Sequence, residues 1–154
     1  MEEQDQAVQQ FIRWLEGYAS GINRLQEKTF DVSPVLDSAV LGNMVLGVCR
    51  NSPDLAFETA AARLFNTLKP VRERESSELI EIEQGDAKVA LRSATLRRVQ
   101  RRLRELGHYS GGIDGIYGGG TRQAIRAFQE AEGLPTSGLP DANTVLRLLL
   151  SDAQ

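Results

Sequence analysis

Residues 96–150, LRRVQRRLRELGHYSGGIDGIYGGGTRQAIRAFQEAEGLPTSGLPDANTVLRLLL, decide the fold. They read as helix, Gly-rich loop, helix, tight turn, helix. Val99, Leu103 and Leu106 lie on one helical face. Ile125 with Phe128, and Val145 with Leu148, repeat that spacing, so three short amphipathic helices can share one core. Between the first two helices, Gly111, Gly112, Gly115, Gly118, Gly119 and Gly120 are expected to supply positive-φ freedom. The stretch also repeats itself. Aligning Gly115 with Gly138 brings Thr121 onto Thr144, Ile116 onto Leu139 and Ile125 onto Leu148, so each copy is a glycine turn, an apolar plug, a Thr and a helix.

The ordered pattern V-Q-x-x-L-x-x-L-G-x-Y, then I-D-G-x-Y-G-x-x-T-x-x-A-I-x-x-F-Q and G-L-x-x-x-G, resembles the peptidoglycan-binding domain of the type-1 family. Val99, Gln100, Leu103, Leu106, Gly107, Tyr109, Gly112, Asp114, Gly115, Tyr117, Gly118, Thr121, Ala124, Phe128, Gln129, Gly133, Leu134 and Gly138 carry the likeness. One spacing departs, since Gly111-Gly112 offers two glycines before Ile-Asp-Gly. The resemblance implies a three-helix cell-wall-binding module over residues 96–154, with peptidoglycan as its partner.

The rest of the chain bounds what accompanies it. At 154 residues there is room for one ordinary domain or two small ones. The net charge of −3 gives no global pull towards nucleic acid. One histidine, His108, and one cysteine, Cys49, exclude His- or Cys-based zinc sites, a Ser-His-Asp triad and an intramolecular disulfide. No cofactor or metal is expected, and no run is apolar enough to insert in a membrane. The start MEEQDQ is acidic, the reverse of a secretory signal. A wall binder must still reach the wall, so either Met1 replaces a removed signal or the protein is released by lysis. A periplasmic or wall-associated location is the expectation.

Residues 1–70 read as a three-helix bundle, making the whole chain all-α apart from a hairpin between the domains. In 5–27, Val8, Phe11, Ile12, Leu15, Tyr18, Ala19, Ile22 and Leu25 follow helical spacing, with Trp14 beside the stripe. Gly17 and Gly21 inside it suggest close helix packing or a kink. Ser33-Pro34 and Ser52-Pro53 each look like a helix cap and first turn. The second helix is expected to bury Leu36, Val40, Met44 and either Val45 or Val48. The third is expected to bury Leu55, Thr59, Ala60, Leu64 and Leu68 before ending at Pro70. This half is similar to the HdeA-type periplasmic acid-stress proteins through Trp14, Gly17, Tyr18, Gly21, Asn23, Cys49, Asn51 and Pro53. Those proteins usually hold a disulfide, whereas Cys49 stands alone. Residues 71–95 form a linker. VRERESSE reads as a solvated run, and the alternation about Gln84-Gly85-Asp86 favours a β-hairpin over a helix running into the next domain.

Candidate chemistry is sparse. GGGT before a helix offers backbone N–H groups, but no Lys completes a phosphate loop. Asp114 lacks the alternating oxygen ligands of a calcium loop and is expected to accept hydrogen bonds within its own turn. Thr121 and Thr144 are read as structural. Tyr109 and Tyr117 either stack on a wall ligand or plug the core. The arginines 97–104 spread around a helix without interleaved aromatics, which argues against nucleic acid. They are expected to be solvated, to pair with the acidic segment 73–86, or to attract wall carboxylates.

The ligand-binding candidates are therefore Tyr109, Asp114, Tyr117, Arg122 and Gln123, set where exposed N–H groups, a helix start and a guanidinium favour an anion. No catalytic residue is assigned. The expected function is a non-enzymatic envelope protein that holds peptidoglycan at its C-terminus and meets another envelope protein through residues 1–70. A wall hydrolase or lysin with an unrecognised N-terminal site is the first alternative, and a wall-tethered HdeA-like chaperone the second.

Overall fold

The computed structural model describes residues 2–151, with six α-helices and one two-stranded antiparallel hairpin in the order α1 (Glu2–Leu25), α2 (Ser38–Asn51), α3 (Phe57–Leu68), β1 (Leu79–Gln84), β2 (Ala87–Arg92), α4 (Ser93–Glu105), α5 (Gly119–Ala131) and α6 (Ala142–Leu150). The fold is thus mostly helical with a hairpin between helical parts, as the sequence leads one to expect. Two compact units emerge, one of residues 1–33 and 37–75, the other of residues 34–36 and 76–154. The hairpin groups with the C-terminal helices, although residues 71–95 read in sequence as a connecting segment.

In the N-terminal unit α1, α2 and α3 bury Leu15, Leu41, Val45, Ala60, Ala61, Leu64, Phe65 and Leu68. Several details differ from the sequence expectation. The second helix starts four residues later than Pro34, because Asp37 caps it by accepting from Ala39 N at 3.0 Å and Val40 N at 3.1 Å. Its buried face is Leu41 and Val45, while Leu36 is exposed. The third helix begins at Phe57 behind an Ala56 cap, not at Pro53, and it buries Phe65 and Ala61 in place of Leu55 and Thr59. Gly17 and Gly21 are exposed, and a Cβ on either would meet nothing within 4 Å, so they serve no close packing. The close approach falls at Gly42, whose Cβ would lie 3.5 Å from Ile12 Cγ1.

The charged run after α3 is not wholly solvated. Lys69–Val71 forms a 3₁₀ turn around Pro70, and Glu73 is buried in a bridge to Asp31, with Glu73 N donating to Asp31 O at 2.8 Å.

In the C-terminal unit the hairpin turns through Gly85-Asp86, with φ +59 at Gly85. Positive φ at the first central residue alone is the II′ pattern, whose twist suits antiparallel strands. β2 runs straight into α4. The shared core comprises Ile82, Leu91, Leu96, Val99, Leu103, Ala124, Ile125, Phe128, Leu139, Val145 and Leu148. Leu106 is not part of it and is exposed. It stands at the end of α4, where the chain turns away through Gly107 at φ +80. There His108 N donates to Leu103 O and Gly107 N to Arg104 O. Gly133, at φ +66, ends α5 in the same way, with Leu134 N donating to Gln129 O and Gly133 N to Glu130 O. Both ends are Schellman caps, in which glycine satisfies the last carbonyls from a left-handed conformation.

Candidate functional site

The glycine loops are built by two buried glutamines. Gln100 on α4 accepts from Gly115 N at 2.9 Å through Oε1, while its Nε2 donates to Asp114 Oδ1, Ile116 O and Thr121 Oγ1 at 2.9, 3.1 and 3.2 Å. Gln129 on α5 repeats the clamp. It accepts from Gly138 N at 2.8 Å and donates to Leu139 O and Thr144 Oγ1, both at 3.0 Å. Each amide thereby ties a glycine turn to the start of the following helix. Thr121 and Thr144 are buried members of these clamps. The repeat seen in sequence is thus a repeated hydrogen-bond device, and the signal for its centre is the Gln that follows an apolar residue in both copies, Val99-Gln100 and Phe128-Gln129.

Only Gly115 in the first loop needs a left-handed backbone, with φ +76. Gly118, expected to share it, has φ −112 and is the extended N-cap of α5. Gly115 also lies tight on α4, since a Cβ there would sit 2.9 Å from the Ser93 carbonyl oxygen. Gly111 lies tight for a different reason, because a Cβ would fall 2.5 Å from the Tyr109 hydroxyl and the Tyr109 ring would have to shift.

The loop encloses a groove of about 510 Å³ whose lining includes Tyr109, Asp114, Ile116, Thr121 and Gln123. Tyr109 is half-buried, and its hydroxyl donates to Gly112 O at 2.8 Å. Asp114 is held below the usual carboxylate range, first by the Ile116 N–H that donates to it at 2.9 Å and then by Gln100. It is therefore a fixed acceptor and anion, as its turn position suggested.

The five sequence candidates do not converge on one place. Tyr109, Asp114 and Gln123 share this groove. Tyr117 instead donates its hydroxyl to Gly138 O at 2.8 Å and lines a second groove of about 580 Å³ with residues 78–83, Gly115 and Ile116. Burial pushes the Tyr117 phenol up, and the nearby Arg122 guanidinium opposes that. Arg122 thus keeps company with Tyr117, and its stem packs by Gly138.

The arginines of α4 work locally. Arg97 donates to Asp114 O at 3.3 Å, Arg104 to Gly111 O, and Arg102 to Glu105 at 2.7 Å and Ser151 Oγ at 3.1 Å. Ile116 is a candidate that the repeat pattern conceals. The alignment makes it an apolar plug equivalent to Leu139, yet Ile116 is 66% exposed and Leu139 4%. Its side chain stands between the two grooves and borders both.

Among the described residues no cluster of three or more His, Cys, Asp or Glu could hold a metal, and no helix is long and apolar enough to cross a membrane.

Parts of the chain are similar to known proteins. The spore cortex-lytic enzyme of Bacillus cereus is 50% identical over 46 residues, covering 30% of this chain and 18% of that protein. The localization factor PodJL of Caulobacter vibrioides is 42% identical over 64 residues, covering 42% of this chain and 7% of that protein. The chain therefore spans less than a fifth of either relative. The crystal structure of SltB3 from Pseudomonas aeruginosa in complex with NAG-anhNAM-pentapeptide aligns over 68% of this chain and 26% of its own, with 28% identity and a TM-score of 0.38. The family model described as a putative peptidoglycan binding domain matches residues 92–148, so the C-terminal part of this chain carries a peptidoglycan-binding domain of type 1.

Proposed function

We propose that this is a non-enzymatic cell-envelope protein, periplasmic or wall-associated, that holds peptidoglycan in the groove beside Tyr109 and presents its N-terminal helices to a protein partner. The observation that carries the reading is the groove of about 510 Å³ on the domain matched at residues 92–148. Its lining offers one half-buried aromatic face, an exposed isoleucine, the Gln123 amide and the Asp114 carboxylate. An aromatic face with a few polar groups suits a sugar or an apolar peptide surface. Glycosidic cleavage needs a carboxyl group that can give up a proton at working pH. Asp114 is lowered and committed to two hydrogen bonds, which favours a binding role over an acid–base one.

The N-terminal unit supports the partner reading through an exposed row on α1, where Val8, Phe11 and Trp14 are 43, 51 and 41% exposed at three-residue spacing. Trp14 stacks on Tyr18 at 5.1 Å and meets the Phe57 edge at 5.2 Å, so the row is a pre-ordered surface. The same row would serve a chaperone, and suppression of client aggregation at low pH tests that alternative.

The deciding experiment is co-sedimentation of the full chain with purified sacculi. Parent protein should pellet at low salt, and Tyr109→Ala with Gln123→Ala should shift it to the supernatant while the helical circular dichroism is kept. Parent protein that stays in solution would end the proposal. A second reading, targeting within a longer wall-lytic enzyme, is favoured by the similarity to the spore cortex-lytic enzyme of Bacillus cereus. Release of soluble muropeptides by the purified chain would support a catalytic version of it.

A further inference from the structure

The groove on the other side of Ile116 has a different character. One wall is Glu78 with residues 79–83 of β1, and the other is Gly115, Ile116 and Tyr117. Among the described residues β1 pairs with β2 alone, so its other edge carries no strand. Ser93 N donates to Glu78 O at 2.8 Å, which sets the alternation of the ladder. Glu78, Ile80, Ile82 and Gln84 exchange bonds with the β2 side, and the N–H and C=O groups of Leu79, Glu81 and Glu83 point out of the open edge. From residue 79 to residue 83 that edge runs about 13 Å, the length of a four- or five-residue extended peptide.

The side chains around the edge favour a cation with an alkyl stem. Glu78, Glu81 and Glu83 line the groove, and no Lys or Arg is among its lining residues. Lys88 is shared between Glu81 at 2.9 Å and Glu83 at 3.3 Å, which leaves negative charge in excess. Leu79 is 49% and Ile116 66% exposed, offering apolar surface beside those carboxylates. A glycan's hydroxyls can donate to these carboxylates, but only an ammonium also gains from their uncompensated charge, and only a peptide offers the alternating N–H and C=O groups that match a strand edge.

We propose that this second groove takes the amine-bearing stem peptide of peptidoglycan, laid as an added strand along the open edge of β1, with its ammonium at Glu81 and Glu83 and its alkyl stem on Ile116. Strand addition supplies main-chain hydrogen bonds, and the flanking side chains supply selectivity. The inference rests on the peptidoglycan reading and specifies which part of the polymer this face recognises.

The test titrates the isotope-labelled full chain with a synthetic stem peptide carrying a free side-chain amine, the same peptide with that amine acetylated, an L-peptide of matched composition, and a peptide-free glycan oligomer. The free-amine stem peptide should shift the backbone amides of Leu79, Glu81 and Glu83 and lose affinity as salt rises. Glu81→Gln and Glu83→Gln should each weaken it roughly two- to fivefold, the range of one exposed ion pair, without affecting the acetylated peptide. Leu79→Pro deletes an outward N–H at the first position of the strand, leaves the β2 ladder intact, and should also weaken binding. If the stem peptide leaves these amides unmoved while sacculi still bind the protein, stem-peptide docking is wrong and the wall-binding reading stands. If the matched L-peptide binds equally well, the edge serves a protein segment and the proposal is overturned. If sacculi themselves fail to bind, the underlying reading fails with it.

Discussion

Replacing Gly115 by alanine isolates the feature that shapes both grooves. Gly115 sits at φ +76, where a side chain is strained by about 1–3 kcal/mol. Its Cβ would also stand 2.9 Å from the Ser93 carbonyl oxygen, a backbone atom that can move only with the start of α4, and overpacking of that kind adds about 1–3 kcal/mol. Gly115→Ala should therefore destabilise the C-terminal unit by about 2–6 kcal/mol, or roughly 8–48 °C at about 4–8 °C per kcal/mol for a small domain.

Three companions separate the two causes. Gly133 has φ +66 but open space around its Cβ position, so Gly133→Ala should cost only the conformational part, about 1–2 kcal/mol. Gly138 has φ +78 and meets the side-chain stems of Arg122 and Arg126, which can swing aside, so Gly138→Ala should fall between. Gly119 opens α5 with nothing within 4 Å, and Gly119→Ala should be neutral or stabilising by up to about 1 kcal/mol. The assay is chemical denaturation of the full chain followed through amide exchange in the C-terminal unit. Trp14, the only tryptophan, serves as a separate reporter of the N-terminal unit. A Gly115→Ala protein as stable as the parent, or a Gly133→Ala protein that loses more, would refute the reasoning.

Three further outcomes follow from the same structure. Gln100→Leu and Gln129→Leu each strand a glycine N–H and remove the amide donor shared by a turn carbonyl and a buried threonine oxygen, so each should cost about 2–4 kcal/mol in denaturant titration, with the two losses alike. Asp114 has a lowered pKa in the folded state, so its stabilisation is present above the ordinary aspartate value and is lost as pH falls below about 4; Asp114→Asn should flatten that acid limb in a pH series of melting curves. Tyr18 donates to Glu58 at 3.0 Å and its phenol is raised by that contact, so Glu58→Gln should move the Tyr18 titration down in an ultraviolet pH scan.

Elements that rest on local periodicity and turn chemistry are legible along the chain. Helical spacing places Val99, Leu103, Ile125, Phe128, Val145 and Leu148 in the core, and all are buried. The Gly85 turn marks the hairpin, and the ordered pattern from Val99 to Gly138 identifies the wall-binding domain found at residues 92–148. Such features are set by interactions a few residues apart and are therefore readable along the chain.

Tertiary structure decided what depends on neighbours distant in sequence. Ile116 and Leu139 occupy equivalent repeat positions, yet the first stands exposed between two grooves and the second is buried. Tyr117 and Tyr109 lie eight residues apart in a loop that reads as one site, but Tyr117 bonds Gly138 O and faces the hairpin's groove, whereas Tyr109 folds onto its own loop. Gln100 and Gln129 look like ordinary helix residues until their amides are seen to meet turns brought in from elsewhere in the chain. The Ser33-Pro34 helix start is overridden for the same reason. A cap signal states where a helix can begin, but Asp37 offered a competing cap, and residues 34–36 are held in the C-terminal unit, where Thr95 donates to Pro34 O at 3.3 Å. A local signal carries only the energy of one hydrogen bond or one strained dihedral, and burial against a distant partner outweighs it.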